Sequence, residues 1–440
     1  MTDLISMMPR YESYKDSRVD WIGELPEHWQ LTPIRSIFNE RNEKNTGPIT
    51  DFILSVTKDR GVIPYDEKGA IGNNKSEDIE RYKIVYPNDL VINKMNVVIG
   101  SLGLSKYFGA LSQVYIVLRA MSKDYFISFY SYLLMNAPFY SSLIKYCTGI
   151  MVLRESLKKD EFKKLVLPMP PIREQTSVAN FLDCKTAKID QAVAIKEKQI
   201  QLLKERKQIL IQKAVIQGLD SNVTMRDSCV EWIGEIPRHW AIKRFKTLFS
   251  QSNLPTLPND GVVTSYRDGE VTLRSNRRLG GYTEAILEQG YQGIRKGQLV
   301  LNSMDAFEGA IGVSDSDGKC TPEYVICDPI LDDVLPEYFA YLLREMALTK
   351  YIQVICNAVR QRAVRIRYNN LKKRFLIVPP VEEQIVIVSY IQTQSAKIDK
   401  AIAIQEQMIE KLKEYKATLI NSAVTGKIKV PQTRESKAVA

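Results

Sequence analysis

Seven basic residues and no acid lie between Asn357 and Arg374: Arg360, Arg362, Arg365, Arg367, Lys372, Lys373 and Arg374. A guanidinium group can grip phosphate or the O6/N7 edge of guanine with two parallel hydrogen bonds, and a carboxamide can do the same for adenine. Arg267, Arg274, Arg277 and Arg278 form a second basic group in the same half of the chain. In the first half, Lys58 with Arg60, Asn73 with Asn74 and Lys75, and Lys94 with Asn96 put cations and amides on loops or strand ends. The chemistry these residues offer is contact with double-stranded DNA, lysine mostly holding phosphate while arginine and asparagine read bases. A net charge of +10, from 61 Lys and Arg against 51 Asp and Glu, agrees with a polyanionic partner.

Other chemistries have little material. His28 and His239 are the 2 histidines of the chain, and its 6 cysteines include no C-x-x-C pair, so zinc and histidine catalysis are poorly supplied. There is no G-x-x-x-x-G-K-[ST] phosphate loop and no G-x-G-x-x-G after a strand. Asp328-Pro329-Ile330 lacks the second proline and the aromatic residue that an amino-methyltransferase tetrad requires. Adjacent acids such as Asp332-Asp333 and Glu382-Glu383 do not share a helix face. The Gly100–Gly103 and Gly309–Gly312 spacings resemble a KH-domain clamp, but their strand-like surroundings read as turns. The expectation is a chain with no catalytic residue, no bound cofactor and no metal ligand. No apolar run reaches the roughly 18–20 residues of a membrane span, and the start does not read as a signal peptide, so the chain reads as cytoplasmic.

The elements that position these residues are duplicated. Trp21-Ile22-Gly23-Glu24-Leu25-Pro26-Glu27-His28-Trp29 returns about 210 positions later as Trp232-Ile233-Gly234-Glu235-Ile236-Pro237-Arg238-His239-Trp240. Leu90–Met95 matches Leu299–Met304, Pro170–Gln175 matches Pro379–Gln384, and Ala187-Lys188-Ile189-Asp190 matches Ala396-Lys397-Ile398-Asp399. Both histidines and all 4 tryptophans fall in the first motif, which marks a packing and turn motif rather than a catalytic one. With 440 residues, 45% apolar and 25% charged, the chain reads as a domain duplication of ordinary globular composition.

Each repeat predicts a mixed α+β segment followed by a long helix. Short β-type runs such as Phe52–Val56, Leu90–Ile92 and Val114–Leu118 alternate with Gly, Pro and Asn, and helices are expected at Phe126–Met135 and Tyr338–Met346. Pro171 and Pro380 suit a first helical turn, acids follow them, and Gly218 and Gly426 read as stops. Between these limits Ile189, Val193, Ile200, Leu203 and Leu210 recur with 4-3 spacing, and Ile398, Ile402, Ile409, Leu412 and Leu419 hold the same register. Lys196/Gln405 and Lys207/Lys416 interrupt both seams at equivalent places. Such a pattern predicts an antiparallel coiled coil with pseudo-two-fold symmetry, the spacer from Ile172 to Gln217 being about 69 Å long.

The segments follow: an N-terminal extension 1–20, a mixed globular domain 21–168, a long helix 169–217, a linker 218–231, a second mixed globular domain 232–378, a second long helix 379–426 and a tail 427–440.

The duplicated W-I-G-x-[IL]-P-x-H-W openings, the Leu-Val-Ile-Asn-Lys-Met stretch leading to Gly-Ser-Leu-Gly, and the paired P-P-[IV]-x-E-Q helices with A-K-I-D resemble the specificity subunit of type I restriction–modification enzymes. The resemblance runs from about Tyr14 to Lys429. It implies two target recognition domains, each reading half of a split asymmetric DNA sequence, held apart by a coiled-coil ruler that docks two modification subunits. S-adenosylmethionine would belong to those adenine methyltransferase partners, and ATP and Mg²⁺ to motor-nuclease restriction subunits. Recognition domains diverge with their targets, so the resemblance assigns regions, not base contacts. In the second half Ala358-Val359 replaces Gly149-Ile150. A nuclease or methyltransferase fused to its own DNA reader is the enzymatic alternative, and a coiled-coil adaptor binding only protein is the other.

Overall fold

Leu90, Val91 and Ile92 are all buried although successive side chains on a strand point to opposite faces. Both faces of the sheet they sit in are therefore covered. In the computed structural model, which describes residues 5–58, 60–69, 76, 78–148, 156–277, 290–356 and 365–431, strands β1 (Phe38–Glu40), β2 (Leu90–Asn93), β3 (Leu102–Leu104) and β4 (Tyr115–Ala120) form an antiparallel sheet in the order β1-β4-β2-β3. Leu90, Ile92, Ile116 and Leu118 face a large core with helix α1 (Ile127–Leu134), while Val91 and Val117 face a smaller one under the hairpin Leu54–Pro64. A short helix α2 (Lys159–Lys164) and a strand Val166–Met169 lead into the long helix α3 (Ile172–Gln217).

The second repeat rebuilds this plan. Strands β5 (Phe249–Gln251), β6 (Leu299–Asn302), β7 (Ile311–Val313) and β8 (Tyr324–Pro329) take the order β5-β8-β6-β7, followed by helices α4 (Pro336–Leu348), α5 (Tyr368–Leu371) and the long α6 (Val381–Val424). Register is preserved: Ile92 pairs with Ile116, and the matching Leu301 pairs with Val325. Each G-x-x-G stretch is a turn at its first glycine that runs into β3 or β7 at its second. Gly100 and Gly309 adopt φ of +87° and +97°, and a Cβ on Gly103 or Gly312 would strike the backbone of Gly61 or Gly269.

Two compact units result, and they do not coincide with the two halves of the chain. One comprises the described residues up to Glu197 and from Glu406 onward; the other is Lys198–Gln405. Each therefore takes part of both long helices. The first core incorporates Leu419, Ala423 and Val424 from the end of α6, and the second incorporates Ala214, Val215 and Ile216 from the end of α3.

Within each unit the helix segments run antiparallel. In the first, Glu174 and Gly426 both meet Trp29, whereas Asp190 binds Lys416 at 2.6 Å. In the second, Gly218 and Glu383 both meet Trp240, and Lys207 binds Asp399 at 2.7 Å. The seam positions follow the heptad reading. Ile189, Ile402, Ile409 and Leu419 are buried, and Val193, Ile200, Leu203, Leu210, Ile398 and Leu412 are half-buried. Of the three lysines that interrupt the seams, Lys207 and Lys416 reach the aspartates of the A-K-I-D motifs, so those motifs supply their partners. Both helices begin one residue later than the prolines suggest: Pro171 precedes Ile172, and its carbonyl accepts the amide of Gln175 at 3.0 Å. They stop at Gly218 (φ +76°) and near Gly426 (φ +73°), a backbone that glycine adopts without strain.

Candidate nucleic-acid interface

A pair of clamps fixes each mixed segment to its long helix. Glu174, in the first turn of α3, accepts hydrogen bonds from Trp29 Nε1 at 3.0 Å and Tyr11 Oη at 2.8 Å, and pairs with His28 Nε2 at 2.7 Å. Glu383 in α6 holds Trp240 Nε1 at 3.0 Å and His239 Nε2 at 2.6 Å. Trp29 and Trp240 are buried, so their indole N–H groups need such an acceptor. Burial and the neighbouring Glu174 carboxylate push the Tyr11 phenol well above its ordinary pKa. The next residue completes the joint. Gln175 accepts the Phe126 amide at 2.8 Å and donates to the Asp124 and Pro170 carbonyls; Gln384 repeats this with Leu335, Asp333 and Pro379. The E-Q of the proline motif and the H-W of the tryptophan motif thus form one joint. Sequence reading missed this link and assigned the glutamates to the helix dipole alone.

On this scaffold the basic candidates separate into different surroundings. Lys58 and Arg60 are exposed at the tip of the Leu54–Pro64 hairpin, where Arg60 Nη2 donates to the Glu67 carbonyl at 2.6 Å. Lys94 is half-buried and Asn96 exposed in the turn between β2 and β3, a turn fixed by buried Asn93 accepting the Met95 amide at 3.1 Å. In the second unit Arg267 pairs with Asp305 at 3.1 Å and with Glu308. Arg277 pairs with Asp268 at 2.5 Å and Glu270 at 2.9 Å, with its guanidinium 4.1 Å from the centre of the Tyr266 ring. Hydrogen bonds to these carboxylates raise both guanidinium pKa values further. Arg274, on the same short helix as Arg277, donates to Thr264 Oγ1 at 3.2 Å. Arg365 and Arg367 converge on Glu323, at 3.8 and 3.1 Å.

Four of the five described arginine candidates of the second unit, Arg267, Arg277, Arg365 and Arg367, are therefore held by acids. Any phosphate or base they met would replace an existing carboxylate, which orients each guanidinium while reducing the local excess of charge. Asn73, Asn74, Lys75, Arg278, Arg360 and Arg362 lie outside the described residues.

Three lysines that sequence reading passed over surround one acid. Glu40, 5% exposed at the end of β1, is bound by Lys83 at 3.5 Å, Lys163 at 3.2 Å and Lys159. Burial opposes its ionisation, but the Lys159 and Lys163 hydrogen bonds prevail and hold the carboxyl below its ordinary pKa. Glu40 and Lys83 are separated by too many positions for any motif to join them. Among the described residues no group of three or more His, Cys, Asp or Glu could hold a metal ion, and no helix is long and apolar enough to cross a membrane.

Residues 26–205 match the family model described as the type I restriction modification DNA specificity domain. The chain is 23% identical over 436 residues to the putative type I restriction enzyme MjaX specificity subunit of Methanocaldococcus jannaschii, covering 93% of this chain and 96% of that protein. It is 23% identical over 421 residues to the type I restriction enzyme EcoKI specificity subunit of Escherichia coli, covering 87% and 86%. The fold is similar to a chain from a structure of the type I R-M system concerned with complex assembly and conformational transition, with a TM-score of 0.65 at 13% identity, covering 91% of this chain and 98% of that one. A crystal structure of the HsdS subunit from Thermoanaerobacter tengcongensis matches at a TM-score of 0.50 and 13% identity, covering 92% and 98%. With both clamps, both sheets and both long helices formed where the repeated motifs lie, the chain is similar over most of its length to the specificity subunits of type I restriction–modification enzymes.

Proposed function

We propose that this chain reads DNA sequence for a cytoplasmic type I restriction–modification complex, with residues 21–168 and 232–378 as two recognition domains on the spacers 169–217 and 379–426. The observation that carries this is the repeated joint: Glu174 and Glu383 lock two similar but diverged domains onto long helices in the same way. A duplicated mount with diverged cargo is what reading a split, asymmetric target requires. The chain itself is the non-catalytic component, and methyl transfer, translocation and cleavage belong to its partners. The long helices offer those partners apolar surface: Leu202 and Ile209, seven residues apart on α3, are 50% and 62% exposed. We assign this surface to the modification subunits.

The test is a domain exchange. Trp21–Leu167 is replaced by the matching part of a relative with a different target, and the DNA of cells expressing the variant with its modification partner is sequenced for methylation. One half of the modified sequence changes and the other stays. Changes in both halves, or in neither, would defeat the reading.

A further inference from the structure

The two units differ at one structurally equivalent place. In the second, an open cleft of about 420 Å³ lies between the end of β5, strand β8 and the start of α5, lined by Gln251, Asn253, Gln292, Tyr324, Arg367 and Asn369 among others. In the first, the matching positions include Glu40, Lys83 and Lys159, joined in the ion cluster described above. Their equivalence is visible in the backbone they touch. Lys83 Nζ donates to the Tyr115 carbonyl at 2.9 Å, and Gln292 Nε2 donates to the carbonyl of the matching Tyr324 at 2.8 Å. Where one domain binds three lysines to a buried carboxylate, the other presents neutral amides around an open space.

Those amides are available. The side chains of Gln251, Asn253 and Asn369 hydrogen-bond to no described residue, and all three residues are exposed. Tyr368, standing where Lys159 stands, turns its hydroxyl onto the Phe249 carbonyl at 2.7 Å and so adds no charge. Arg367, at the rim, is already drawn to Glu323. A carboxamide presents a donor beside an acceptor, the pattern that matches adenine N6 and N7 in the major groove; guanine would call on the arginine instead.

We propose that this cleft is a base-reading site of the second unit, taking the major-groove edge of an adenine through Gln251 and Asn369, with Asn253 beside them. It rests on the reading of the chain as a DNA-recognition subunit. The first unit, where Glu40 and its lysines occupy the matching place, reads no base here.

The test uses the full chain assembled with modification subunits and a pool of duplexes randomised across both half-sites, with bound DNA sequenced. The parent prefers adenine at one position of one half-site by roughly 10-fold or more, the range expected for one bidentate contact. Gln251→Ala with Asn369→Ala removes that preference and leaves the other half-site and binding to non-specific competitor DNA within about 2-fold, since phosphate contacts supply the latter. Gln251→Glu moves the preference at that position toward cytosine, whose N4 amino group a carboxylate accepts. Asn253→Ala, a change at an exposed position, weakens the adenine preference without lowering the melting temperature. Variants that keep the parental preference at every position would overturn the assignment of the cleft. A parent that prefers no sequence at all would instead overturn the DNA-recognition reading, and this inference with it.

Discussion

Replacing Glu174 by alanine removes one acceptor from three donors at once, and the expected cost can be worked out partner by partner. His28 is 47% exposed and regains water when the carboxylate leaves, so its loss counts for little. Tyr11 is half-buried and is partly rehydrated. Trp29 is fully buried, so its indole N–H is left without a partner, at about 1–3 kcal/mol. Allowing a smaller share for Tyr11, we expect Glu174→Ala to destabilise by about 2–4 kcal/mol. At roughly 2–4 °C per kcal/mol for a unit of this size, calorimetry should show the main transition roughly 4–16 °C lower. Glu174→Gln keeps an oxygen for Trp29 and should lose about half as much. The second clamp is the internal control: Glu383 is 40% exposed against 14% for Glu174, so Glu383→Ala should cost less. If Glu174→Ala melts within about 1 °C of the parent, or Glu383→Ala proves the more damaging, the joint does not hold the domain as argued.

Other consequences are equally direct. Glu345 is 3% exposed, and burial pushes its carboxyl up to about 7 despite the 2.6 Å hydrogen bond from Gln208. A carboxyl raised in the folded state binds a proton that the unfolded state releases, so stability falls as pH rises from about 4.5 through about 7; Glu345→Gln should flatten that fall in thermal melts and stabilise the protein at pH 8. Leu419→Ala, at a wholly buried seam position, should cost about 2–5 kcal/mol, and Leu203→Ala, at a half-buried one, distinctly less; equal losses in denaturant titrations would contradict the seam. Gly312→Ala should unfold the second unit locally, because its Cβ would lie 2.0 Å from the Gly269 carbonyl oxygen; retained hydrogen-exchange protection in β7 would argue otherwise. Reversing the Asp190–Lys416 pair should cost no more than about 1 kcal/mol in either single variant and recover in the double one.

Periodicity revealed what is periodic or repeated. The seam from Ile189 to Leu210, the stops at Gly218 and Gly426, and the matched strand runs are local patterns, and the fold follows them. The joints were invisible because their partners lie more than 140 positions apart: Trp29 with Glu174, Trp240 with Glu383. The basic run Asn357–Arg374 illustrates the opposite error. It contains no acid in sequence, yet Arg365 and Arg367 both meet Glu323, delivered from a turn before β8. Linear charge counts omit neighbours that the sheet brings in. The cleft beside Arg367 had no sequence signal at all, since it is defined by what the other repeat puts in the same place.

Near the first tryptophan motif two distant stretches of chain meet. The Lys429 amide donates to the Pro9 carbonyl at 2.7 Å, Tyr14 Oη reaches the Gly426 carbonyl at 3.2 Å, and Ile428 and Val430 enter the first core. The second unit builds the same corner at Gly218 and Trp240, but there the backbone runs through it, from Gly218 to the strand Met225–Asp227. One corner is a covalent turn and the other is a seam between two strands of polypeptide with the same packing. Order along the chain is then interchangeable: a circular permutant opened near Ser221 and closed by a short link from Val430 to the Tyr11 segment would have the same corners with their roles exchanged.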